Sequence, residues 1–399
     1  MRPDAPQLLL DLSELLRHDA RSGVQRVTRG LLQALLAAAP AGYRVRPVYD
    51  AGGYYAYAET AGADAAGVAR YCRSADGAGQ PLQVAPGDLF FGLDLALEAV
   101  VRNQQLLASL QQHGVRLMFF VHDLLPLRHP EWFVDGVVQA FGNWLQAIAG
   151  LADGLIANSR ATADDLLDWL QQQPPQRTRA LQVGYAHLGA DIAASQPSGG
   201  IGAAEAAMLA QLQDSPTLLM VGTLEPRKMH AQALQALEQL WHDGVEVKLV
   251  IVGKPGWRVE QLGARLHRHP QLNQRLFWLE QASDELLLRL YQQSSALLVA
   301  SRAEGFGLPL IEAAQHGLPV IARDLPVFRE VGGAHAWYFE AADARQLADA
   351  LRQWLALHAA GQAPASAGMP CLDWAASSRQ VLASLVDGHW YRQAPIRLP

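Results

Sequence analysis

Glu304 and Glu312 stand with seven residues between them, in the run Arg302-Ala303-Glu304-Gly305-Phe306-Gly307-Leu308-Pro309-Leu310-Ile311-Glu312. Gly305 and Gly307 let the backbone of that interval approach a ligand closely, with N–H groups free at a helix start. A carboxylate accepts strongly from paired hydroxyls, and amides at a helix start suit an anion. Together they suit a polyhydroxylated, phosphorylated ligand: a sugar nucleotide. A second cluster, Val221-Gly222-Thr223-Leu224-Glu225-Pro226-Arg227-Lys228, sets a planar guanidinium beside a compact ammonium, a good pair for a diphosphate. Alone, such a pair is more often a solvated helix start. With the two glutamates on a nearby strand of the same sheet, that balance reverses.

Three further clusters close apolar strands. In Phe119-Phe120-Val121-His122-Asp123 both polar side chains emerge where the strand ends, and His122 can contact a sugar, orient an acceptor or exchange a proton near neutral pH. The plainer alternative is a satisfied strand-end histidine. Arg21-Ser22-Gly23-Val24-Gln25-Arg26 offers a helix start to a phosphate or acceptor hydroxyl, or is a simple turn; it lacks the full dinucleotide pattern. Asn158 or Ser159 is expected to cap a helix. Lys254-Pro255-Gly256-Trp257 reads as a loop, with a nucleotide base as the alternative neighbour. No metal is expected: His122 and His129 have no third ligand at suitable spacing, and Cys72 and Cys371 read as free thiols.

These clusters need strands to place them. Apolar runs at Gln7–Leu12, Tyr43–Tyr49, Asp88–Leu93, Val115–His122, Gly154–Asn158 and Leu181–Tyr185 predict strands, with helices at Gly23–Ala39, Leu95–Gln112, Val134–Ala149 and Thr162–Gln172. A second block predicts strands at Thr217–Gly222, Val247–Gly253, Leu276–Leu279, Ala296–Ala300 and Pro319–Ala322, with helices at Ala231–His242, Arg258–His267, Asp284–Ser294 and Leu310–His316. Such alternation implies an α/β fold of two doubly wound, Rossmann-like domains. The expected division is a first domain over 1–194, a linker over 195–204, a second domain over 205–380 and a C-terminal segment over 381–399 returning to the first. Gly52 to Gln83, with weak periodicity, reads as a long, partly mobile insertion.

Half of the 399 residues are hydrophobic, ample for two cores, and 18% are charged. A net charge of −6 argues against nucleic acid as partner. No run is long enough to cross a bilayer, and the N-terminus carries no signal-peptide core, so a cytoplasmic chain is expected. Arg17, Arg21, Arg26 and Arg29 cluster near apolar Leu12, Leu15, Leu16, Val24 and Val27, which suits either a solvated helix face or an anionic membrane surface.

Taken in order, Gly23-Val24-Gln25-Arg26-Val27, Phe120-Val121-His122-Asp123, Asn158-Ser159, Gly222 through Lys228 and Glu304 through Glu312 resemble the retaining glycosyltransferases of family four, which have the GT-B architecture. The Gly-Val-Gln-Arg and Leu-Glu-Pro-Arg-Lys forms are most similar to bacterial enzymes adding mannose or rhamnose to O-antigen. The resemblance implies an active site in the cleft between the domains. It implies transfer of a hexose from GDP-mannose, GDP-rhamnose or dTDP-rhamnose to a hydroxyl of a glycan or lipid-linked acceptor, metal-free and with retention, at the cytoplasmic face of the inner membrane. Glu312 would hold the ribose, and Glu304 the hexose, with Gly305, Phe306, Gly307 and Leu308 beside them. Arg227 and Lys228, flanked by Gly222 and Thr223, would bind the diphosphate. His122 would sit by the reacting sugar, Gly23 would give the donor phosphate room, and Asp123 and Arg26 lie on the acceptor side. Loss of Glu304 is expected to depress turnover and leave nucleoside-diphosphate affinity intact. An epimerase, a phosphorylase and a non-catalytic carbohydrate-binding homologue are the alternatives.

Overall fold

The computed structural model describes residues 5–19, 22–63, 69–75, 77, 79–192 and 198–398. Arg21 and the start of the expected linker, Ser195 to Pro197, lie outside the described residues. The chain divides into two compact units: Met1–Arg128, Asp135–Gly189 and Leu372–Pro399 form the first, and His129–Val134 with Ala190–Cys371 form the second.

The first unit holds β1 (Gln7–Asp11), β2 (Arg44–Asp50), β3 (Tyr55–Tyr57), β4 (Glu59–Ala63), β5 (Ala69–Cys72), β6 (Leu89–Gly92), β7 (Arg116–Val121), β8 (Gly154–Ala157) and β9 (Gln182–Tyr185). Its main sheet runs β9-β8-β7-β6-β1-β2-β3, extended past β9 by the short strand Arg392–Gln393. β3 and that terminal strand pair antiparallel, and the rest are parallel. Runs such as Leu89-Phe90-Phe91 and Leu117 to Val121 are buried throughout, as a sheet covered on both faces requires.

The second unit carries β10 (Thr217–Val221), β11 (Lys248–Val252), β12 (Leu276–Leu279), β13 (Ala296–Val299), β14 (Val320–Arg323) and β15 (Trp337–Phe339). They form one parallel sheet in the order β12-β11-β10-β13-β14-β15. The chain builds outward from β10 through β11 to β12, then crosses back to place β13 on β10's other side. That reversal is a topological switch point, where open parallel sheets leave a crevice beyond their carboxyl ends.

Three expectations change. The stretch Gly52 to Gln83 is not simply a loop: β3 is buried beside β2, and β4 pairs with β5. Its short strands gave too few alternations to read. The helix expected at Leu95–Gln112 is broken into Leu97–Arg102 and Gln104–Gln112. Buried Asn103 stands at the break, its Nδ2 donating to Asp50 Oδ1 at 3.0 Å and to Ala99 O at 2.9 Å. The C-terminal part of the first unit starts at Leu372, ahead of position 381, because Trp374 opens the helix Trp374–Leu385 that packs on Gly23–Ala37. The Trp374 ring lies so close to Gly30 and Gly189 that a Cβ there would stand 2.3 and 2.7 Å from it.

Candidate functional site

The carboxyl ends of β10 and β13 bring the second unit's cations and Glu304 together. After β10, Pro226–Lys228 makes one 3-10 turn, and Met229 turns left-handed (φ 58°) before the helix His230–His242. This turn was not expected, since the helix was read as starting directly; it exposes Arg227 and Lys228 side by side at the crevice. After β13, a loop carries Glu304 to Gly307, whose φ of 101° starts the helix Leu308–Gln315. A Cβ on Gly307 would meet the Phe328 ring at 2.9 Å, so glycine is demanded twice over. Arg302 N donates to Arg227 O at 2.8 Å, which ties the two loops together.

Glu304 is held by both cations. Lys228 Nζ lies 2.5 Å from its Oε1 and an Arg227 Nη 2.6 Å from its Oε2, while Ser301 Oγ donates to Oε1 at 2.9 Å. Burial favours the neutral acid, but Arg227 and then Lys228 outweigh it and hold the carboxyl at about 2. Arg227 also pairs with Glu225 at 2.7 Å. Two cations thus face two carboxylates, and the cluster is neutral. Gly222, at φ 133°, passes just beneath the Lys228 stem: a Cβ on it would stand 3.3 Å from Lys228 Cε. Thr223 is partly exposed beside it, and Phe306 packs inward behind Glu304.

Glu312 stands on the helix beyond, with Tyr291 as a partner. It is 2% exposed on the Leu308–Gln315 helix and accepts from Tyr291 OH at 2.7 Å. Leu308 and Pro309 occupy the first turn, where a missing N–H costs nothing. His230, two residues past Lys228, is buried, with Nδ1 unpartnered among the described residues. Burial, then Lys228 and Arg227, push its pKa down to about 3, so it is neutral at pH 7. Lys228, His230, Ser301 and Glu304 line one small cavity.

Sequence reasoning did not assign His230, Ser301, Tyr291 or Glu225. The first two could have been found by their spacing from Lys228 and Glu304. Tyr291 lies on a different helix with no local signal. The Lys254–Trp257 stretch is a loop, with Trp257 Nε1 donating to Trp132 O at 2.8 Å.

In the first unit, His122 ends β7 and Asn158 ends the adjacent β8. Both are buried, and His122 Nε2 and Asn158 Oδ1 each lack a hydrogen-bond partner among the described residues. Burial lowers the His122 pKa to about 4, leaving a neutral ring. Ser159, not Asn158, caps the next helix, accepting from Thr162 N at 3.0 Å. Asp123 Oδ1 accepts from Leu125 N, which fixes the turn after His122. Gly23 starts its helix with open space where a Cβ would go, and Arg26 follows in the first turn. Two members of the arginine cluster are ion-paired, Arg17 to Glu14 and Arg29 to Asp19, both at 2.8 Å. Leu12 and Val27 belong to the core, so the apolar patch proposed beside that cluster is smaller than expected. Among the described residues, no helix is long and apolar enough to cross a membrane, and no group of three or more His, Cys, Asp or Glu could hold a metal ion.

Two doubly wound units, with cations and a carboxylate at a switch point, define the GT-B class of glycosyltransferase fold. Residues 206–366, within the second unit, match the family Glycosyl transferases group 1. Solved structures share the fold: a sucrose-phosphate synthase from Thermosynechococcus elongatus (TM-score 0.60, 19% identity) and Anabaena HepE in complex with UDP-glucose (TM-score 0.58, 15% identity), each with 95% of both chains covered. The chain is 42% identical over 382 residues to the serotype-specific mannosyltransferase WbdA of Escherichia coli, covering 95% of this chain and 45% of that protein. It is 29% identical over 136 residues to the O-antigen chain mannosyltransferase RfbU of Salmonella typhimurium, covering 34% and 37%. The chain spans about half the length of the WbdA relatives it matches.

Proposed function

We propose that this chain is a hexosyltransferase moving mannose from a nucleoside-diphosphate donor, GDP-mannose before GDP- or dTDP-rhamnose, to a hydroxyl of a polysaccharide or lipid-linked acceptor in O-antigen assembly. The observation that carries this reading is the Arg227–Lys228–Glu304 cluster at the β10/β13 switch point. Similarity along nearly the whole chain to mannosyltransferases supports the choice of sugar.

The chemistry follows from the charges. The leaving diphosphate gains negative charge as the anomeric bond opens, and Arg227 and Lys228 are fixed donors for it in a partly buried crevice. Glu304, ionised far below neutral pH, accepts from hexose hydroxyls once it leaves the cations. Glu312, oriented by Tyr291, accepts from the ribose. His122 is neutral and offers an unspent ring nitrogen to the sugar or acceptor, and the open space at Gly23 suits a donor phosphate. Transfer is retaining and metal-independent in this reading: the acceptor attacks from the leaving-group face, assisted by the departing phosphate, and arginine and lysine carry the charge a cation would otherwise balance. An anionic membrane surface is the expected place of work, since lipid-linked acceptors lie there.

The test incubates the chain with each donor and an oligomannose acceptor, with and without EDTA. Mannosyl transfer with an α-anomer in the product by NMR is expected, undiminished by EDTA. No transfer from any donor would overturn the reading. A β-anomer or an EDTA block would remove retention or metal independence alone.

A further inference from the structure

An open groove of about 840 Å³ lies elsewhere in the second unit, between the C-terminal half of the His230–His242 helix, the helix Glu260–His267 and the segment that follows to Arg275. Trp241 at its wall comes eleven residues after His230, roughly 16 Å along the helix axis from the cation turn. The volume is that of a small-molecule or headgroup site.

Three guanidiniums line it, Arg265, Arg268 and Arg275, against one carboxylate, Glu238. Glu238 is already divided, its Oε2 paired with Arg265 and its Oε1 with His269 Nε2 at 2.9 Å. Arg275 donates Nε to Gln271 Oε1 at 2.9 Å and lies over the Trp241 ring, 5.4 Å from its centroid. Those contacts lock the guanidinium in place without neutralising it. The Arg268 side chain has neither a hydrogen bond nor an ion pair among the described residues; its backbone N–H donates to Leu266 O. Three positive charges against one negative leave a local charge of about +2 in a chain whose net charge is −6. The negative end of the Glu260–His267 helix favours Arg265 in its last turn. It does not reach Arg275, which lies beyond it in sequence and is held by other contacts. A concave, cationic basin with preset planar donors selects a phosphate group, because guanidinium forks match its oxygens two at a time.

We propose that this basin is a second anion site, one that binds a phosphate group carried by a lipid headgroup or by a small soluble phosphate. It is independent of the donor crevice, and the experiment separates the two. In an Arg227→Ala/Lys228→Ala background, which removes the crevice cations, the full chain is titrated with inorganic pyrophosphate by calorimetry. In parallel it is co-sedimented with phosphatidylcholine vesicles containing phosphatidylglycerol. Arg268→Glu is the decisive variant, since an exposed side chain without partners can be changed without disturbing the fold; Arg268→Ala/Arg275→Ala extends it.

Binding at low salt is expected to fall by roughly tenfold in Arg268→Glu, at an unchanged melting temperature, and to weaken as salt is raised. Loss of pyrophosphate binding identifies a soluble phosphate as the occupant; loss of vesicle binding alone identifies a headgroup. If neither probe binds, or if Arg268→Glu binds both as the parent does, the arginines only complement a helix end and the proposal is overturned.

Discussion

Each unit reverses its strand order beside its own first strand, at β1/β6 in one and at β10/β13 in the other, yet the two crevices are furnished in opposite ways. In the first unit, Asp11 ends β1 and Asp94 follows β6, and both are buried. Asp11 accepts from Ser13 N at 2.9 Å and from Tyr55 OH at 3.3 Å; Asp94 accepts from Leu95 N at 2.9 Å. Burial, opposed by Ser13 and reinforced by Asp94, raises Asp11 to about 7; burial, opposed by the Leu15 and Leu95 amides, raises Asp94 to about 6. In the second unit, the crevice holds two cations and a carboxylate lowered to about 2. At one switch point burial pushes the strand-end acids toward the neutral form, and Asp11 and Asp94 serve as acceptors for nearby donors, a structural task. The other keeps charges in place at a cost in desolvation, which is the mark of a site. Fold position alone therefore does not make a binding crevice; the side chains at the strand ends decide.

The sharpest way to break that contrast is to remove the cations. Arg227→Ala or Lys228→Ala should lower kcat/KM by about 2–4 kcal/mol of transition-state stabilisation, some thirtyfold to a thousandfold, in a steady-state transfer assay. Rates equal to the parent's would make the second crevice as structural as the first.

Glu304 comes next, and here the structure revises the sequence expectation. Because Glu304 pairs with both Arg227 and Lys228, it competes with a diphosphate for them. Glu304→Gln should lower turnover by roughly a hundredfold, since its carboxylate is lost where hexose charge develops. It should also bind free nucleoside diphosphate several-fold more tightly, not equally, by calorimetry. Unchanged affinity would mean that the ion pairs survive donor binding.

The acids of the first crevice give a smaller effect, on stability. Their folded pKa values lie above the unfolded value, so the folded state binds more protons between about pH 4 and 7. Their contribution is present in full below pH 4 and is lost as pH rises through 6 and 7. Glu304 has the reverse sign: its contribution is present above pH 4.5 and lost as pH falls toward 2. Asp11→Asn, neutral at every pH and able to accept from Ser13, should flatten the decline between pH 4 and 7, by on the order of 1–2 kcal/mol in urea unfolding. A parallel decline in both proteins would remove Asp11 as its cause.

Much of this contrast was legible before the fold was known, and for a physical reason. Strands buried on both faces announce themselves as apolar runs, so His122 directly after one, and Arg227 and Glu304 on the loops that follow two others, could be placed at the carboxyl edge of a sheet. What escaped was whatever depends on partners distant in sequence. Asp11 lies within the apolar run Gln7–Leu12, and its raised pKa comes from burial with Asp94 adding to it, neither of which local spacing shows. β3 was too short to show periodicity, and Asn103's break in a helix follows from Asp50. That Glu304 would occupy the diphosphate's cations was also hidden, because spacing gives neighbourhood and not occupancy.

The smallest expected effect compares two tyrosines with the same task. Tyr55 OH donates to Asp11 at 3.3 Å in the first unit, and Tyr291 OH donates to Glu312 at 2.7 Å in the second. Both rings are fully or almost fully buried, so Tyr→Phe removes one hydroxyl from a packed place and leaves the ring's volume filled. The loss of one hydrogen bond to a carboxyl group is worth about 1–3 kcal/mol, the larger values belonging to a charged acceptor. If Glu312 holds the donor's ribose and Asp11 touches no substrate, the same substitution must be felt in different quantities. Tyr291→Phe should leave Glu312 less well oriented for ribose hydroxyls, contacts made equally in ground and transition state. Donor KM should then rise several-fold while kcat stays near the parent value. Tyr55→Phe should lower the melting temperature slightly and leave donor KM unchanged. Steady-state kinetics and thermal melts on the two variants decide it: if both move only stability, Glu312 is a structural carboxylate like Asp11, and the donor site reduces to the Arg227–Lys228–Glu304 cluster.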